Sequence, residues 1–258
     1  MQALILPASR GWRWIADGFA IYGKRRLQLP VLVMLNLFIM LILGTVPFVG
    51  RALATVLIPA FSVGLMNACR LIEQDVRFPV GVLFSGFRRN GRVLISLGFA
   101  YVLFNLLILA LTALLDGGAI MDYLLNGTVA EPTAQSSESS LLVGLLAVFL
   151  FLQLAMAYWF APVLVAWRDL PVAKALFFSY VACIRNWRAF LTYFSVVLIL
   201  TLLFMSLAVG VLTPLFPPSG EAVVAIVSAM VIVIFAPMMY GSFYAAYRDI
   251  FVTIATDV

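Results

Sequence analysis

Apolar stretches of spanning length recur six times along the chain, at 27–48, 52–72, 93–115, 141–166, 188–212 and 222–246. Each is near or above the ~20 helical residues that cross a ~30 Å hydrocarbon core. Between them lie shorter segments with a different rhythm. In 79–92, PVGVLFSGFRRNGR, the residues Val80, Leu83, Phe84 and Phe87 fall on one helical face, and Ser85, Arg88, Arg89 and Arg92 on the other. Pro79 suits the first turn of such a helix. Residues 171–188 begin likewise with Pro171 and align Ala173, Leu176, Phe177, Tyr180 and Ile184. Residues 9–24 set a stripe of Trp12, Ile15, Phe19 and Tyr22 against Arg10, Arg13, Asp17 and Lys24. Trp14 and Ile21 interrupt that stripe, as expected of a helix that packs against spans as well as lipid. The patterning predicts an all-α polytopic membrane helical bundle with six transmembrane helices and three cytosolic interfacial amphipathic helices, all in one transmembrane domain over 1–258.

The same order of elements returns three times, as interfacial helix, span, span, over about 9–72, 79–166 and 171–248. Local echoes accompany it. Phe78-Pro79-Val80 matches Leu170-Pro171-Val172, and Arg89-Asn90-Gly91-Arg92 matches Arg185-Asn186-Trp187-Arg188. Pro59 precedes Arg70 by 11 residues and Pro237 precedes Arg248 by 11. Each unit starts and ends on the same side, so the expected threefold repeat is parallel.

Composition agrees with lipid as the solvent. Hydrophobic residues make up 65% of the 258 positions and charged ones 10%, with a mean hydropathy of +1.13, against roughly 45–50% and about 25% in soluble domains. The net charge of +5 comes from 16 Lys and Arg against 11 Asp and Glu, and its distribution is one-sided. Fifteen of the basic residues fall on one side of the spans; Arg51, in the turn after the first, falls opposite. That division gives +9 on one side and −4 on the other, which predicts cytoplasmic termini under the positive-inside rule. The opening MQALILPASR has too short an apolar run, and no preceding basic residues, for a signal peptide. Residues 116–140 lack any basic residue and are rich in Ser, Thr, Pro and Glu in their second half; they are expected to form an external loop, with a binding role left open. Asn126-Gly127-Thr128 within it fits a glycosylation acceptor.

Little catalytic chemistry is available. The chain has no histidine, which removes imidazole relays, Ser–His–Asp and Cys–His nucleophile sites and nearly every catalytic zinc site. Cys69 and Cys183 are too few and too far apart for a zinc knuckle, an iron–sulfur cluster or a CxxC motif, and read as small buried hydrophobes. No charge lies in mid-span. The polar residues there, including Asn36, Asn67, Asn105 and Gln153, serve either to pin helices or to bind a substrate. Pro59, Pro162 and Pro237 place one proline in each even-numbered span, and such kinks either shape the bundle or border a cavity. Gly64-x-x-x-Ala68 and Gly241-x-x-x-Ala245 allow close helix contact in two of those spans. Arg168-Asp169 and Arg248-Asp249 are expected to form ion pairs where spans end. Arg77, Arg88, Arg89 and Arg92 are the candidate lipid-binding residues, suited to anionic headgroups and equally to topology alone.

The strings GWRWIADGFAIYGKRR, LIPAFSVGLMNACR, LFSGFRRNGR and KALFFSYVACIRNWRAF resemble those of the six-span inner-membrane proteins of proteobacteria, a family of uncharacterised activity. That family is similar, loosely, to the membrane domain of glycerophosphodiester phosphodiesterases. The resemblance covers nearly the whole chain and implies a bacterial inner (cytoplasmic) membrane location; the phosphodiesterase catalytic domain has no counterpart here. The expectation is a non-enzymatic membrane protein, without cofactor, metal or nucleic-acid partner, that organises lipids or protein partners through its cytosolic helices. The alternative is a small uncoupled transporter or channel. A wide polar-lined cavity favours the second, and a tightly packed bundle with an exposed apolar flank favours the first.

Overall fold

The structure, a computed structural model, describes residues 3–47, 49–117, 137–212 and 220–251. It is all-helical among those residues. Its helices are α1 (Arg10–Lys24), α2 (Gln28–Gly44), α3 (Gly50–Glu73), α4 (Ser85–Asp116), α5 (Ser137–Trp159), α6 (Ala161–Arg168), α7 (Val172–Arg185), α8 (Trp187–Leu212) and α9 (Gly220–Phe251), with a 3₁₀ turn at Val80–Phe84. Among the described residues, four helical runs are long and apolar enough to cross a membrane: Gly50–Glu73, Val80–Asp116, Leu141–Arg168 and Trp187–Val211. The pair α1–α2, bent by 100°, makes a fifth if counted as one span. This falls short of the six read from the sequence. Helix α2 has 17 residues, or about 25 Å of rise, below the length an upright span requires. The expected loop at 116–140 lies mostly outside the described residues, as does Asn126.

Proline and small residues set the helix geometry. Pro59 and Pro237 lie inside α3 and α9, while Pro162 follows the break at Phe160 that separates α5 from α6. That break is repaired by a neighbour. The Ser179 hydroxyl accepts from the Phe160 N–H at 2.9 Å and donates to the Met156 carbonyl at 2.8 Å, so it stands inside an interrupted i→i−4 bond. Helix α1 lies across α8 and α9, the 3₁₀ turn and the start of α4 lie on α3, and α7 lies on α5 and α6.

These three contacts use only part of the faces aligned by hydrophobic patterning: Ile15 and Leu83 are buried, but several larger members of the stripes are not. In α1 the buried residues are Gly11, Trp14, Ile15, Gly18 and Ile21, whereas Trp12 and Phe19 of the expected stripe are exposed. In α7 the buried face is Ala175, Ser179, Ala182 and Cys183, while Phe177 and Ile184 point outward. Segment 79–92 is not one helix. It is the 3₁₀ turn followed by the first turns of α4, with a kink at Asn90 (φ −126°, ψ 34°). Leu83 and Gly86 are buried there, and Val80 and Phe84 are exposed. The physical reason is shared. With lipid outside, a large apolar side chain gains little by turning inward, whereas small residues let backbones approach. A Cβ on Gly18 would collide with the Ser242 backbone and Met238 carbonyl, and one on Gly86 with the Ala60 carbonyl. Gly64 and Gly241, the small positions noted in α3 and α9, meet the backbones of Leu83 and Gly18.

Candidate functional site

Two features occupy the bundle axis: a charged base, where α3, α6 and α9 end, and an apolar cavity further along the same helices. The base is built around Arg248 of α9. Its guanidinium pairs with Glu73 of α3 and, at 2.9 Å, with Asp17 of α1; Tyr244 donates to Glu73 at 2.6 Å. Beside it Asp249, almost fully buried, accepts from Arg10 Nε and from Trp14 Nε1, both at 2.9 Å. Trp14 is wholly buried against Phe190 and Tyr193, at ring distances of 5.3 and 6.1 Å. The sequence reading expected ion pairs at Arg168-Asp169 and Arg248-Asp249, and both acids do pair, but mainly across helices. Asp169 meets Arg89 at 3.1 Å, and Arg168 donates to the Phe251 carbonyl at 3.2 Å. Arg70 sits over the Trp167 ring, 5.0 Å from its centroid. Trp167 Nε1 donates to Asn67, which donates to Ser85 at 2.7 Å. The Arg10–Asp249–Trp14 contact was not found by sequence reasoning. Its one signal was Trp14 itself, a large aromatic breaking an otherwise regular stripe.

The segment before α1 is tied to the end of α9 and to α7. Leu4 donates to the Ile250 carbonyl, and Asn186 exchanges two bonds of 2.9 Å with Leu4 and Leu6. Between base and cavity the bundle is filled: Met66, Ala68, Cys69, Val163, Leu164, Val165, Ala245, Ala246 and Tyr247 are all buried. Both cysteines are free and buried, consistent with packing roles.

The cavity holds about 380 Å³. Thr55, Ile58, Pro59 and Ser62 of α3 line it, with Ala155, Tyr158, Trp159 and Pro162 of α5–α6 and Met239, Tyr240 and Phe243 of α9; Tyr101 of α4 and Tyr193 of α8 complete the wall. It therefore lies beside Pro59 of α3 and Pro162 at the α5–α6 break, and where α9 runs on from Pro237. Tyr240 is eight residues before Arg248, about 12 Å along the helix. No charged side chain lines the cavity. Of its tyrosines, Tyr158 donates to the Leu97 carbonyl at 3.3 Å and Tyr193 to Met239 sulfur at 3.4 Å. Beyond the cavity, α8 exposes Leu198, Ile199, Leu202, Leu203 and Leu207.

The in-span amides divide by role. Asn67 and Gln153 join helices, the latter accepting from Tyr180 at 2.7 Å. Asn105 bonds only within its own helix, to Tyr101. Asn36 is buried with its carbonyl oxygen unpartnered. The four candidate lipid-binding residues do not gather around one point. Arg77, Arg88, Arg89 and Arg92 are all exposed, on and just before the 3₁₀ turn and the first turns of α4. Arg89 pairs with Asp169, whose other oxygen accepts from Asn90 at 2.9 Å. The Asn90 bond, then the Arg89 charge, hold the Asp169 carboxyl below its ordinary pKa. Among the described residues, Arg77, Arg88 and Arg92 pair with no carboxylate.

Apolar helices of this length, packed through small residues and lacking any charge along their mid-lengths, define a helical integral membrane protein. Over 262 aligned residues the chain is 36% identical to a Burkholderia thailandensis protein named a probable inner membrane protein, covering 97% of this chain and 94% of that one. The chain belongs to that family of inner-membrane proteins. No family model matches it, and no solved structure does. The comparisons give no similarity to the membrane domain of glycerophosphodiester phosphodiesterases, so that part of the resemblance has no support beyond the sequence strings.

Proposed function

We propose that the protein is a six-span, non-enzymatic inner-membrane protein that gathers anionic lipid at its cytosolic face. In this reading α2 and α9 complete the six spans, both termini are cytoplasmic, and the charged base is the cytosolic end. The observation that carries the lipid reading is a contrast in pairing. Arg10, Arg25 and Arg248 are committed to carboxylates, while Arg77, Arg88 and Arg92 stand exposed without one among the described residues. Cations so placed attract an acidic membrane surface by about 1 kcal/mol each.

The threefold repeat belongs to the same reading. Gly18, Gly86 and Ser179 occupy matching places in units 9–72, 79–166 and 171–248, and each meets a span beside its proline: Met238 and Ser242, Ala60, and Met156 and Phe160. Each cytosolic segment thus lies on the last span of the preceding unit, with α1 lying on α9. The transporter reading draws on the cavity, and the filled bundle beneath it argues against an open path.

Replacing Arg88, Arg89 and Arg92 with Gln tests the lipid assignment. The variant should insert normally and retain less phosphatidylglycerol and cardiolipin through purification, as wild type does at high salt. Unchanged retention would leave these arginines with topology alone. For orientation, cysteine at position 130 should react with an impermeant reagent in intact cells and cysteine at 75 or 175 should not; labelling at 175 would overturn it.

A further inference from the structure

The charged base holds more arginine than its carboxylates pair with. Helices α3, α6 and α9 each bring one there in their last turn: Arg70, Arg168 and Arg248. Arg248 is balanced by Glu73 and Asp17. Asp249 pairs with Arg10, Asp75 with Arg25 and Asp169 with Arg89. Among the described residues, Arg70 and Arg168 therefore meet no carboxylate, and both are exposed to an incoming ligand.

Both cations are held in place. Asn67 donates to Ser85 at 2.7 Å and accepts from Trp167 Nε1 at 2.9 Å, which locks the indole. The Arg70 guanidinium lies over that indole, 5.0 Å from its centroid. An arginine on an aromatic face keeps its N–H edge for another partner, and Arg70 donates no hydrogen bond among the described residues. Arg168, the residue after Trp167, is anchored to the Phe251 carbonyl at 3.2 Å. The charges of Arg70 and Arg168 both act on the Tyr247 hydroxyl, and the Tyr247 and Trp167 rings are 5.0 Å apart. The two guanidiniums thus border one aromatic pair, and these contacts do not exhaust the five donors of either.

Any cation complements the C-terminal end of a helix, so charge alone does not call for a locked indole beneath a guanidinium. Two arginines on different helices suit a tetrahedral oxyanion. One planar fork already satisfies a carboxylate, whereas a phosphate has oxygens for both. We infer that Arg70 and Arg168 form a phosphate-binding site at the charged base, with Trp167 as the residue that positions Arg70. A phospholipid headgroup and a soluble phosphate present the same oxygens to it. The site is separate from Arg77, Arg88 and Arg92, which belong to the segment leading into α4.

The test uses the full chain and two probes. Native mass spectrometry after release from phosphatidylcholine nanodiscs doped with phosphatidic acid counts the acidic lipid retained. Thermal unfolding in detergent with inorganic phosphate, against chloride at equal ionic strength, reads the soluble anion. Retained lipid that phosphate does not displace assigns the headgroup; stabilisation by phosphate without retained lipid assigns the soluble anion. Arg70→Lys and Arg168→Lys keep the charge that topology and the helix ends use but lose the fork, and each should weaken binding roughly tenfold. Trp167→Phe should weaken it less, since both arginines remain. No response to either probe in wild type, or equal responses in wild type and both lysine variants, would overturn the inference. Because the Arg88, Arg89 and Arg92 variant should leave this binding intact, failure of one assignment does not decide the other.

Discussion

The two ends of this bundle are built on different physics. At the charged base, α1 and α7 meet neighbouring helices through glycine, alanine and serine, and Asp249, Arg10, Trp14, Arg248 and Glu73 form a bonded set across α1, α3 and α9. At the opposite end α8 shows leucine after leucine to its surroundings, and no comparable polar set appears among the described residues. The difference follows from the solvent. Near the headgroups, charged and polar side chains can be both hydrated and paired, so they give direction and register. In hydrocarbon, an apolar side chain gains almost nothing by leaving lipid for protein, and helices there stay together only where backbones come close. The cavity sits at the boundary between these regimes, beside Pro59 of α3 and the break that separates α5 from α6.

The contrast can be broken most severely at Asp249. Asp249→Ala leaves Arg10 and Trp14 Nε1 without their acceptor in a nearly closed site, and should cost about 3–5 kcal/mol, read as a large fall in thermal or denaturant stability in detergent. Ser179→Ala comes next. It leaves the Phe160 N–H and the Met156 carbonyl unpaired at the α5–α6 break, for a loss of roughly 1–3 kcal/mol, and Ser179→Thr should recover part of it. Gly86→Val forces a side chain against the Ala60 carbonyl, and overpacking of this kind costs about 1–3 kcal/mol. Leu203→Ala, in the exposed part of α8, should change stability by no more than about 0.5 kcal/mol. A loss there as large as at Ser179 would show that the far end is packed after all.

The smallest effect is expected at the Arg89–Asp169–Asn90 link, whose ion pair is exposed. Because the folded carboxyl titrates below its ordinary value, its contribution is complete at neutral pH. It is lost only as acidification passes below the usual carboxylate range. Asp169→Asn should therefore show its whole, small loss of stability at neutral pH, and the difference from wild type should vanish in strong acid.

The sequence made the all-helical membrane fold legible because hydropathy over twenty residues is a strong signal, and it placed the prolines that lie inside α3 and α9 and at the α5–α6 break. The burial of each short helix was legible only in part. Of the stripe Trp12, Ile15, Phe19 and Tyr22, expected of a helix at the interface, Ile15 is buried while Trp12 and Phe19 are exposed. Trp14 and Ile21, read as the mark of packing against spans, are buried, and Phe177 of α7 faces out while Ser179 faces in. Segment 79–92 has helical periodicity, yet Asn90 divides it by donating to the Val165 carbonyl and Asp169 of another helix, a contact no local pattern contains. The cavity was legible only as one consequence of kinks, since its wall needs six helices placed together. The link between Asp249 and Arg10 spans 239 positions and left no periodic trace.

The most direct test of a closed base beneath a lipid-accessible cavity is tryptophan quenching by phospholipids brominated deep in their acyl chains. Two single-tryptophan proteins are needed, one keeping Trp159 and one keeping Trp14, the other four tryptophans being replaced by phenylalanine and each protein checked for monodisperse elution. The account predicts strong quenching of Trp159, in the cavity wall, and almost none of Trp14, which is sealed in the base. Quenching of Trp14 equal to or greater than that of Trp159 would contradict it.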